Sequence, residues 1–418
     1  MQHKFGALDL IRAGLQDLDR ARTLFDELHN DGIDDDRMRL LLATLEKACD
    51  PDIALSNLVD IIKVMQSQGK DFTNIIADEN SFVRLITVLG VSDEMGKLMR
   101  FRPELVEAAA NDACESHLYN HEQRRAHVLK SVGADPNDHT MPTASLPLAE
   151  AATALRKTYR KQLAAIMAQD ATANDPIEIQ PRISTELSDL ADAALEGALA
   201  IARHEVDGSE HVRFAIIGMG KLGAQELNYV SDVDLIYVVE PADMDTNGMA
   251  LSRIGTKMAT TLQRVCQSVI MGVAEPTLWQ IDGGLRPEGK DGPLVRRLES
   301  HEAYYEQWAE NWEFQALLKA RPVAGDTDLG QAYMDMTRPF VWTASKRDNF
   351  VYDCQQMRKR VEDLIPNPLK DREIKLGRGG LRDVEFTVQM LQLVHGRSDE
   401  ALRTSSTLES LQALAEGG

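Results

Sequence analysis

The order of apolar and polar positions divides the first half of the chain into helical stretches separated by polar breaks. From the start to about residue 130, apolar residues recur with the 3.6-residue period of amphipathic helices, as in residues 53–62. A turn-rich stretch covers about 132–143, and helical periodicity returns over 146–167. A polar break follows over 170–181. The helix predicted over 185–204 leads into the part of the sequence that carries the candidate chemistry.

The middle of the chain alternates between short apolar runs and amphipathic segments. Strands are predicted at 212–218, 233–239 and 278–282, with a very short helix after the first, a long helix over about 249–269 and a further extended segment at 292–296. From residue 300 onward the pattern is helical and rich in leucine, which predicts helix-on-helix packing. The expected fold is α+β and predominantly helical, with a small mixed sheet. The expected division is an N-terminal helical region (1–184), a core (185–325) and a C-terminal helical bundle (326–418).

Composition and charge narrow the possible partners. The formal net charge of −20 argues against a nucleic acid or an anionic membrane, because both would be repelled. The N-terminal sequence lacks an apolar signal region, and no run of about 18 apolar residues occurs. The four cysteines show no Cys-x-x-Cys spacing, so neither a zinc site nor a disulfide framework is indicated. We therefore expect a cytoplasmic protein.

A glycine-rich turn separates the first two predicted strands. Gly218-Met-Gly220-Lys-Leu-Gly223 matches the dinucleotide-binding fingerprint, and Glu240 follows at nearly the expected distance. The connection argues against that fold, because parallel strands need a crossover of about a dozen residues or more. The chain between Gly223 and Asp232 has room for only about two helical turns. We therefore predict that the two strands pair antiparallel.

Three aspartates lie at the ends of predicted strands. Asp232 and Asp234 open the second strand at i and i+2, so both carboxylates project from one face and repel unless a cation lies between them. Asp282 ends the third strand. Surface carboxylates would explain the pair alone equally well, but a third acid, a glycine turn and a basic loop together are typical of a two-metal nucleotidyl-transfer site. We expect Asp232, Asp234 and Asp282 to be catalytic and to bind Mg²⁺ or Mn²⁺.

Basic and glycine-rich stretches supply candidates for binding phosphate. The segment from Gly283 to Lys290 is a basic loop, and residues 375–386 form a glycine turn that leads into a helix, where free backbone N–H groups can bind an anion. The alternative for the second stretch is an ordinary helix entrance with acidic residues matched to its dipole. For Lys319 and Arg321 the alternative is solvated charge at a helix end. The candidates for binding nucleotide and phosphate are Gly218, Gly220, Lys221, Gly223, Ser231, Arg286, Lys290, Arg321 and Arg382.

Taken together, these motifs resemble those of one known family. The stretch from Gly218 to Ile236, with its Glu-Leu-Asn and Ser-Asp-x-Asp elements, is similar to the polymerase-beta-type nucleotidyltransferase motif of glutamine synthetase adenylyltransferase/adenylyl-removing enzymes. Residues 282–289, 320–326 and 375–386 fit the same family in order. The resemblance is strong from about residue 185 to 400 and weak before that. Two positions depart from the pattern: Ala224 replaces the second glycine of a usual pair, and Gly284 stands where relatives often have arginine.

The resemblance carries expectations about function. Members of this family have two catalytic halves in one chain, and Asn228 resembles the residue found in the N-terminal, adenylyl-removing half. The implied reaction is metal-dependent phosphorolysis, in which phosphate attacks an AMP group on a tyrosine of glutamine synthetase and releases ADP. The implied partners are glutamine synthetase, AMP or ADP, phosphate and a PII-type signalling protein. Alternatives are adenylyl transfer from ATP at the same site, or a non-catalytic nucleotide-binding regulatory module.

Overall fold

The computed structural model describes residues 5–70, 72, 78–110, 119–243, 247–370 and 372–417. Contacts between residues divide the chain into two compact units. The first contains Met1–Arg124 and Lys157–Glu186, and the second contains Arg125–Arg156 and Leu187–Gly418. No helix within the described ranges is both long and apolar enough to cross a membrane.

The first unit, in its described residues, consists of helices and their connections. Aspartates begin several of these helices: Asp17, Asp34 and Asp50 each accept a hydrogen bond from a backbone N–H of the first turn, which stabilises the helix start. Leu41 and Leu58 are fully buried in its apolar core. The helices are α1 (Ala7–Arg12), α2 (Leu18–Asn30), α3 (Asp35–Leu45), α4 (Pro51–Ser67), α5 (Glu79–Val91), α6 (Asp93–Phe101) and α7 (Glu104–Ala110).

Three further helices contain the boundaries between the units. They are α8 (His121–Ser131), α9 (Leu148–Thr172) and α10 (Pro176–Glu205). α10 begins earlier than the sequence pattern predicted, inside the expected break over 170–181. Asp175 explains the difference, because its carboxylate accepts hydrogen bonds from the N–H groups of Ile177 and Glu178 at 2.9 and 3.1 Å. Pro176 occupies the first helical position, where the missing N–H costs nothing.

The second unit is built around a mixed sheet of five strands: β1 (Val212–Met219), β2 (Val233–Pro241), β3 (Ile281–Asp282), β4 (Val295–Arg296) and β5 (Arg321–Gly325). The order is β3-β2-β1-β5, and β4 also pairs with β2. β1 pairs antiparallel with both β2 and β5, whereas β3 and β4 run parallel to β2. The predicted antiparallel pairing of the strands around the glycine turn is confirmed, so the connection is not that of a dinucleotide-binding fold.

Helices pack against this sheet and continue to the end of the chain. Their common core contains Ile217 and Ile236 of the sheet together with Phe314, Tyr333 and Leu393 of the helices. These helices are α11 (Gly220–Gly223), α12 (Gly248–Gln267), α13 (Leu298–Gln307), α14 (Asn311–Leu317), α15 (Thr327–Thr343), α16 (Phe350–Asp363), α17 (Leu381–His395) and α18 (Thr407–Glu416).

The predicted class, α+β and predominantly helical with a small mixed sheet and a C-terminal helical bundle, is confirmed. The periodicity missed β5, a short strand that contains Pro322. Proline cannot donate to a strand ladder and is tolerated at an edge or a bulge. β5 lies at the edge of the sheet, and its pairing with β1 shifts register between Ile216 and Ile217.

Candidate active site

The register of the sheet brings the three predicted aspartates together. Asp232 immediately precedes β2. Asp234, the second residue of β2, pairs with Met219 at the end of β1 and with Asp282 at the end of β3. One edge of the sheet thus carries two carboxylates on adjacent strands and a third two residues earlier in the chain.

The carboxylates interact strongly with one another. The pKa of Asp234 is raised to about 6, first by burial and then by the negative charges of Asp232 and Asp282. Lys375 and Arg382 act in the opposite direction and favour the charged form of Asp234. A divalent cation among the three carboxylates would relieve the repulsion, because it places positive charge between like charges.

The glycine turn leaves the Asp234 carboxylate accessible. Gly220 has a φ of +54°, a backbone conformation that favours glycine. A Cβ at this position would lie 2.5 Å from Oδ2 of Asp234. Carboxylate oxygens are the hard ligands that Mg²⁺ and Mn²⁺ prefer. The charge repulsion at Asp234 and the cleared space beside its carboxylate are compatible with such an ion.

The other two predicted glycines allow close packing of the backbone. A Cβ at Gly223 would lie 1.8 Å from the carbonyl oxygen of Lys319, and one at Gly218 would lie 2.7 Å from a methyl group of Val323. Both contacts hold the turn against the segment that leads into β5. Of Gly218, Gly220 and Gly223, it is Gly220 that faces the aspartates.

Lys221 and Ser231 are linked by a single side chain. The amide of Asn228 lies between them, and in the orientation that satisfies both groups its oxygen accepts from Lys221 Nζ at 2.9 Å. Its nitrogen then donates to Ser231 Oγ at 2.5 Å. Asn228 therefore connects the glycine turn to the loop that carries Asp232.

Arg286 holds its own loop in shape. Its guanidinium donates to the carbonyl oxygens of Gly283 at 2.6 Å, Lys290 at 3.1 Å and Gly292 at 3.1 Å. The Lys290 side chain is exposed. In the neighbouring turn, Gly284 donates its N–H to Oδ1 of Asp282 at 2.7 Å. Arg286 thus stabilises the segment that follows Asp282.

Arg321 is an anchor between elements. It donates to both carboxylate oxygens of Asp192 on α10, at 2.6 and 3.1 Å, and the Asp192 side chain is fully buried. Its remaining donors reach the carbonyl oxygens of Leu222 and Gly223 at the end of the short helix α11. These contacts attach the end of the glycine turn to β5 and α10.

Positive charge gathers beside the aspartates from three places in the sequence. The pKa of Lys221 is lowered, chiefly by burial and next by the positive charge of Lys375, with Arg382 acting in the same direction. Lys375 and Arg382 also act on Asp234. Burial and two neighbouring cations disfavour the charged form of Lys221, and an anion such as phosphate would stabilise it.

A second layer of charge supports these cations. Glu385 accepts from Arg382 Nη1 at 3.0 Å and forms an ion pair of 2.8 Å with Lys319, which is almost fully buried. Lys319 also contacts Glu226 at 2.9 Å, and Glu226 accepts from the backbone N–H of Thr407 at the start of α18. This network connects the glycine-turn segment to two helices of the C-terminal bundle.

A cavity of about 240 Å³ opens over these groups. Its lining includes Gly220 and Asp234 of the sheet region together with the charged residues Lys319, Arg382 and Glu385. Further lining residues are Leu285, Trp312, Gln315, Ala316, Met357, Val361, Phe386 and Gln389. The sheet and the helical bundle together therefore enclose the site.

Several residues of the site were not among the predicted ones. Lys375 and Glu385 lie within the glycine turn and helix start at 375–386 that the sequence marks as a candidate anion site, and for Lys319 the sequence leaves open a role at the site or solvated charge at a helix end. Trp312 and Gln315 lie on α14, whose sequence reads as ordinary amphipathic helix. Their position at the cavity depends on helix packing, which a single sequence does not reveal.

Comparisons with known proteins agree with this architecture. The family model for glutamate-ammonia ligase adenylyltransferase matches residues 82–336, and that for GlnD PII-uridylyltransferase matches residues 355–418. A small mixed sheet with three carboxylates at its strand ends beside a glycine turn defines a nucleotidyltransferase core of the polymerase-beta type. This chain belongs to the glutamate-ammonia ligase adenylyltransferase family.

Curated relatives extend the match to almost the whole chain. Bifunctional glutamine synthetase adenylyltransferase/adenylyl-removing enzymes are 76% identical over 99% of the chain in Bifidobacterium longum (strain DJO10A), and 44% identical over 98% in Cutibacterium acnes. The counterpart in Streptomyces avermitilis is 42% identical over 98%. The chain spans 39%, 41% and 39% of the length of these three relatives.

Proposed function

We propose that this chain removes adenylyl groups from adenylylated glutamine synthetase by metal-dependent phosphorolysis. The proposal rests on one observation above all: Asp234 and Arg382 line one cavity, and the charges of Asp232, Asp282 and Lys375 act on the same Asp234 carboxylate. Such a site offers ligands for a divalent ion next to a place for an anion. The relatives are named for adenylyl transfer and adenylyl removal on glutamine synthetase.

The aspartates are proposed as the catalytic and metal-binding groups. Asp232, Asp234 and Asp282 would hold one or two Mg²⁺ or Mn²⁺ ions. A bound ion would neutralise negative charge on the phosphoryl oxygens and so make the phosphorus more susceptible to attack. Gly220 keeps the Asp234 carboxylate accessible, since a side chain there would collide with it.

The cations are proposed to position free phosphate for attack. An oxygen of hydrogen phosphate forms a bond to the phosphorus of the AMP group while the bond from that phosphorus to the tyrosine oxygen breaks. The proton of hydrogen phosphate passes to the departing oxygen, which gives ADP and unmodified tyrosine. Tyrosine has a pKa of about 10 and is a good leaving group, so no strong general base is required. Lys221, Lys375 and Arg382 orient the attacking anion.

The choice of removal over transfer rests on the resemblance of Asn228 to the residue found in the adenylyl-removing half of the family. The Asn228 amide ties Lys221, a cation of the anion-binding group, to Ser231 beside the aspartates. Transfer would instead require room for the pyrophosphate of ATP on the same side of the site. We also propose a catalytic core at 185–325 flanked by helical regions at 1–184 and 326–418, a cytoplasmic location and control by a PII-type signalling protein. The match of 355–418 to the PII-uridylyltransferase family supports the last point.

The test is to incubate the chain with adenylylated glutamine synthetase and to follow ADP by chromatography. We expect ADP only when phosphate and Mg²⁺ or Mn²⁺ are both present. Labelling of unmodified glutamine synthetase from ATP, with release of pyrophosphate, would show transfer instead. Turnover in neither direction would favour a non-catalytic regulatory role.

A further inference from the structure

We propose that the side-chain oxygen of Gln315 accepts a hydrogen bond from the N6 amino group of an adenine base. Trp312 would provide the surface on which this base stacks. The inference rests on the proposed function in placing a nucleotide in the cavity above Asp234. It goes further by assigning base selection to α14. The phosphate end of the nucleotide would lie toward the aspartates and the cations.

The first observation is an unsatisfied acceptor in the cavity wall. Gln315 lines the cavity and is 3% exposed. Its Nε2 donates to Oε1 of Gln389 at 2.8 Å, while its own Oε1 is buried and has no hydrogen-bond partner within the described part of the chain. Swapping the two atoms of this amide would set its oxygen against Oε1 of Gln389. Gln389 therefore fixes the amide orientation in which Oε1 of Gln315 lacks a partner among the described residues.

The unpaired side-chain oxygen of Gln315 can discriminate between bases, because it only accepts hydrogen bonds. Adenine offers a donor at its N6 amino group, whereas a base with a carbonyl oxygen at that position offers an acceptor. A buried amide oxygen that lacks a partner costs free energy, and an N6–H donor would satisfy it. Glutamine is also a side chain that commonly reads adenine in protein–nucleic acid complexes.

Trp312 provides a flat surface one helical turn from Gln315. Its Nε1 donates to Oε2 of Glu310 at 2.7 Å, which holds the indole ring in place. The ring lines the same cavity as Asp234 and Gln315. Aromatic rings stack on every base regardless of its hydrogen-bonding groups. Trp312 would therefore bind the base, and Gln315 would distinguish it.

The division of the cavity wall between two families supports this assignment. Trp312, Gln315 and Ala316 lie in the stretch matched by the adenylyltransferase family. Arg382, Glu385 and Phe386 lie in the stretch matched by a family named for uridylyl transfer. Adenylyl transfer and uridylyl transfer both involve phosphate groups but differ in the base. Arg382, Glu385 and Phe386 would therefore contact the phosphates, and residues of α14 would contact the base.

The experiment compares the binding of ADP and inosine diphosphate, which carries a carbonyl oxygen in place of the amino group. Isothermal titration of the full chain with each nucleotide in the presence of Mg²⁺ should show that ADP binds about tenfold more tightly, as expected for one hydrogen bond in a buried site. In Gln315→Met, which keeps the length of the side chain, the two affinities should agree within about twofold.

Two further variants separate hydrogen bonding to the base from stacking on it. Trp312→Ala should weaken both nucleotides by a similar factor and leave their ratio unchanged. Gln331→Met, at an exposed glutamine outside the cavity wall, should leave both affinities unchanged. Thermal unfolding of each variant shows whether it is folded.

The outcomes distinguish this inference from the proposed function. ADP binding with the same preference over inosine diphosphate in Gln315→Met would overturn the role of Gln315 and leave the proposed function standing. Equal binding of the two nucleotides by the unaltered chain would also overturn it, even if Gln315→Met does not fold. Absence of any ADP binding to the unaltered chain would overturn both.

Discussion

The acidic and basic walls of the site are built in different ways. Asp232, Asp234 and Asp282 come from adjacent strands, and the register of one small sheet brings them together. The basic wall combines Lys221 of the glycine turn with Lys375 and Arg382, about 150 residues later in the chain. The acidic wall thus depends on local pairing, whereas the basic wall depends on how the bundle packs.

This difference explains which basic candidates reach the site. Arg286 follows Asp282 closely in the sequence and Arg321 lies on β5 of the same sheet, but their donors are taken by backbone carbonyls and by Asp192. Arg382 comes from the distant α17, yet its positive charge favours the ionised form of Asp234 and lowers the pKa of that carboxyl. The comparison predicts that changes in the acidic wall abolish activity, that changes at the anchors lower the stability of the fold, and that changes in the basic wall reduce activity in part.

The largest effect is expected from the acidic wall. Asp234→Asn should lower ADP release at least about a hundredfold, because losing one group that stabilises transition-state charge costs about that much. Asp328→Asn is the matched control, since Asp328 is exposed at the start of α15 and does not line the cavity. Release of ADP by Asp234→Asn at the rate of the control would contradict the assignment.

An anchor should affect folding. Arg321→Ala removes a bidentate ion pair with the fully buried Asp192 carboxylate, which should lower the free energy of unfolding by about 3 kcal/mol. Urea titration followed by circular dichroism measures this change. Normal stability with a specific loss of phosphate affinity would instead place Arg321 in the anion site, as the sequence suggested.

The basic wall should have an intermediate effect. Arg382→Ala removes one of three cations beside the anion site, so we expect about a tenfold loss in kcat/KM for phosphate, the size of one charge-assisted hydrogen bond. The fold should persist, because Glu385 keeps its ion pair with Lys319. Arg378→Ala, at a largely exposed arginine on the same turn, is the control. Equal losses in both variants would indicate a general charge effect.

The contrast between the walls also marks what the sequence could predict. Short apolar runs identified β1 and β2, and the short connection between them predicted their antiparallel pairing. The chain position of Asp282 at a strand end placed it near Asp234. Single-sequence patterns do not encode the docking of α14 and α17 over the sheet, so Trp312, Gln315 and Glu385 were missed. They also cannot distinguish a phosphate-binding arginine from Arg286, whose donors hold its own loop.

The smallest effect concerns pH and stability without metal. The folded chain holds a proton on Asp234 up to about pH 6, whereas the unfolded chain releases it near pH 4. The folded state therefore binds more protons in this interval, and the contribution of Asp234 to stability falls as pH rises from about 4 to about 6. At pH 8, metal-free Asp234→Asn should be more stable than the unaltered chain, and at pH 4 the two should be similar.

Chemical unfolding in the presence of a chelator at the two pH values measures this difference. A variant that is less stable at pH 8 would show that the Asp234 carboxylate is favourably paired in the metal-free protein. That result would contradict the repulsion among the three aspartates on which the acidic wall is based.

The measurement that tests the central claim most directly is Mn²⁺ binding followed by electron paramagnetic resonance, in which bound ions lose the sharp signal of free Mn²⁺. At pH 7.5 the unaltered chain and Asp328→Asn should bind Mn²⁺ tightly. Asp232→Asn, Asp234→Asn and Asp282→Asn should each lose that tight binding while keeping the weak, salt-sensitive binding expected for a chain of net charge −20. Equal tight binding by all of these variants would contradict a metal site formed by the three aspartates.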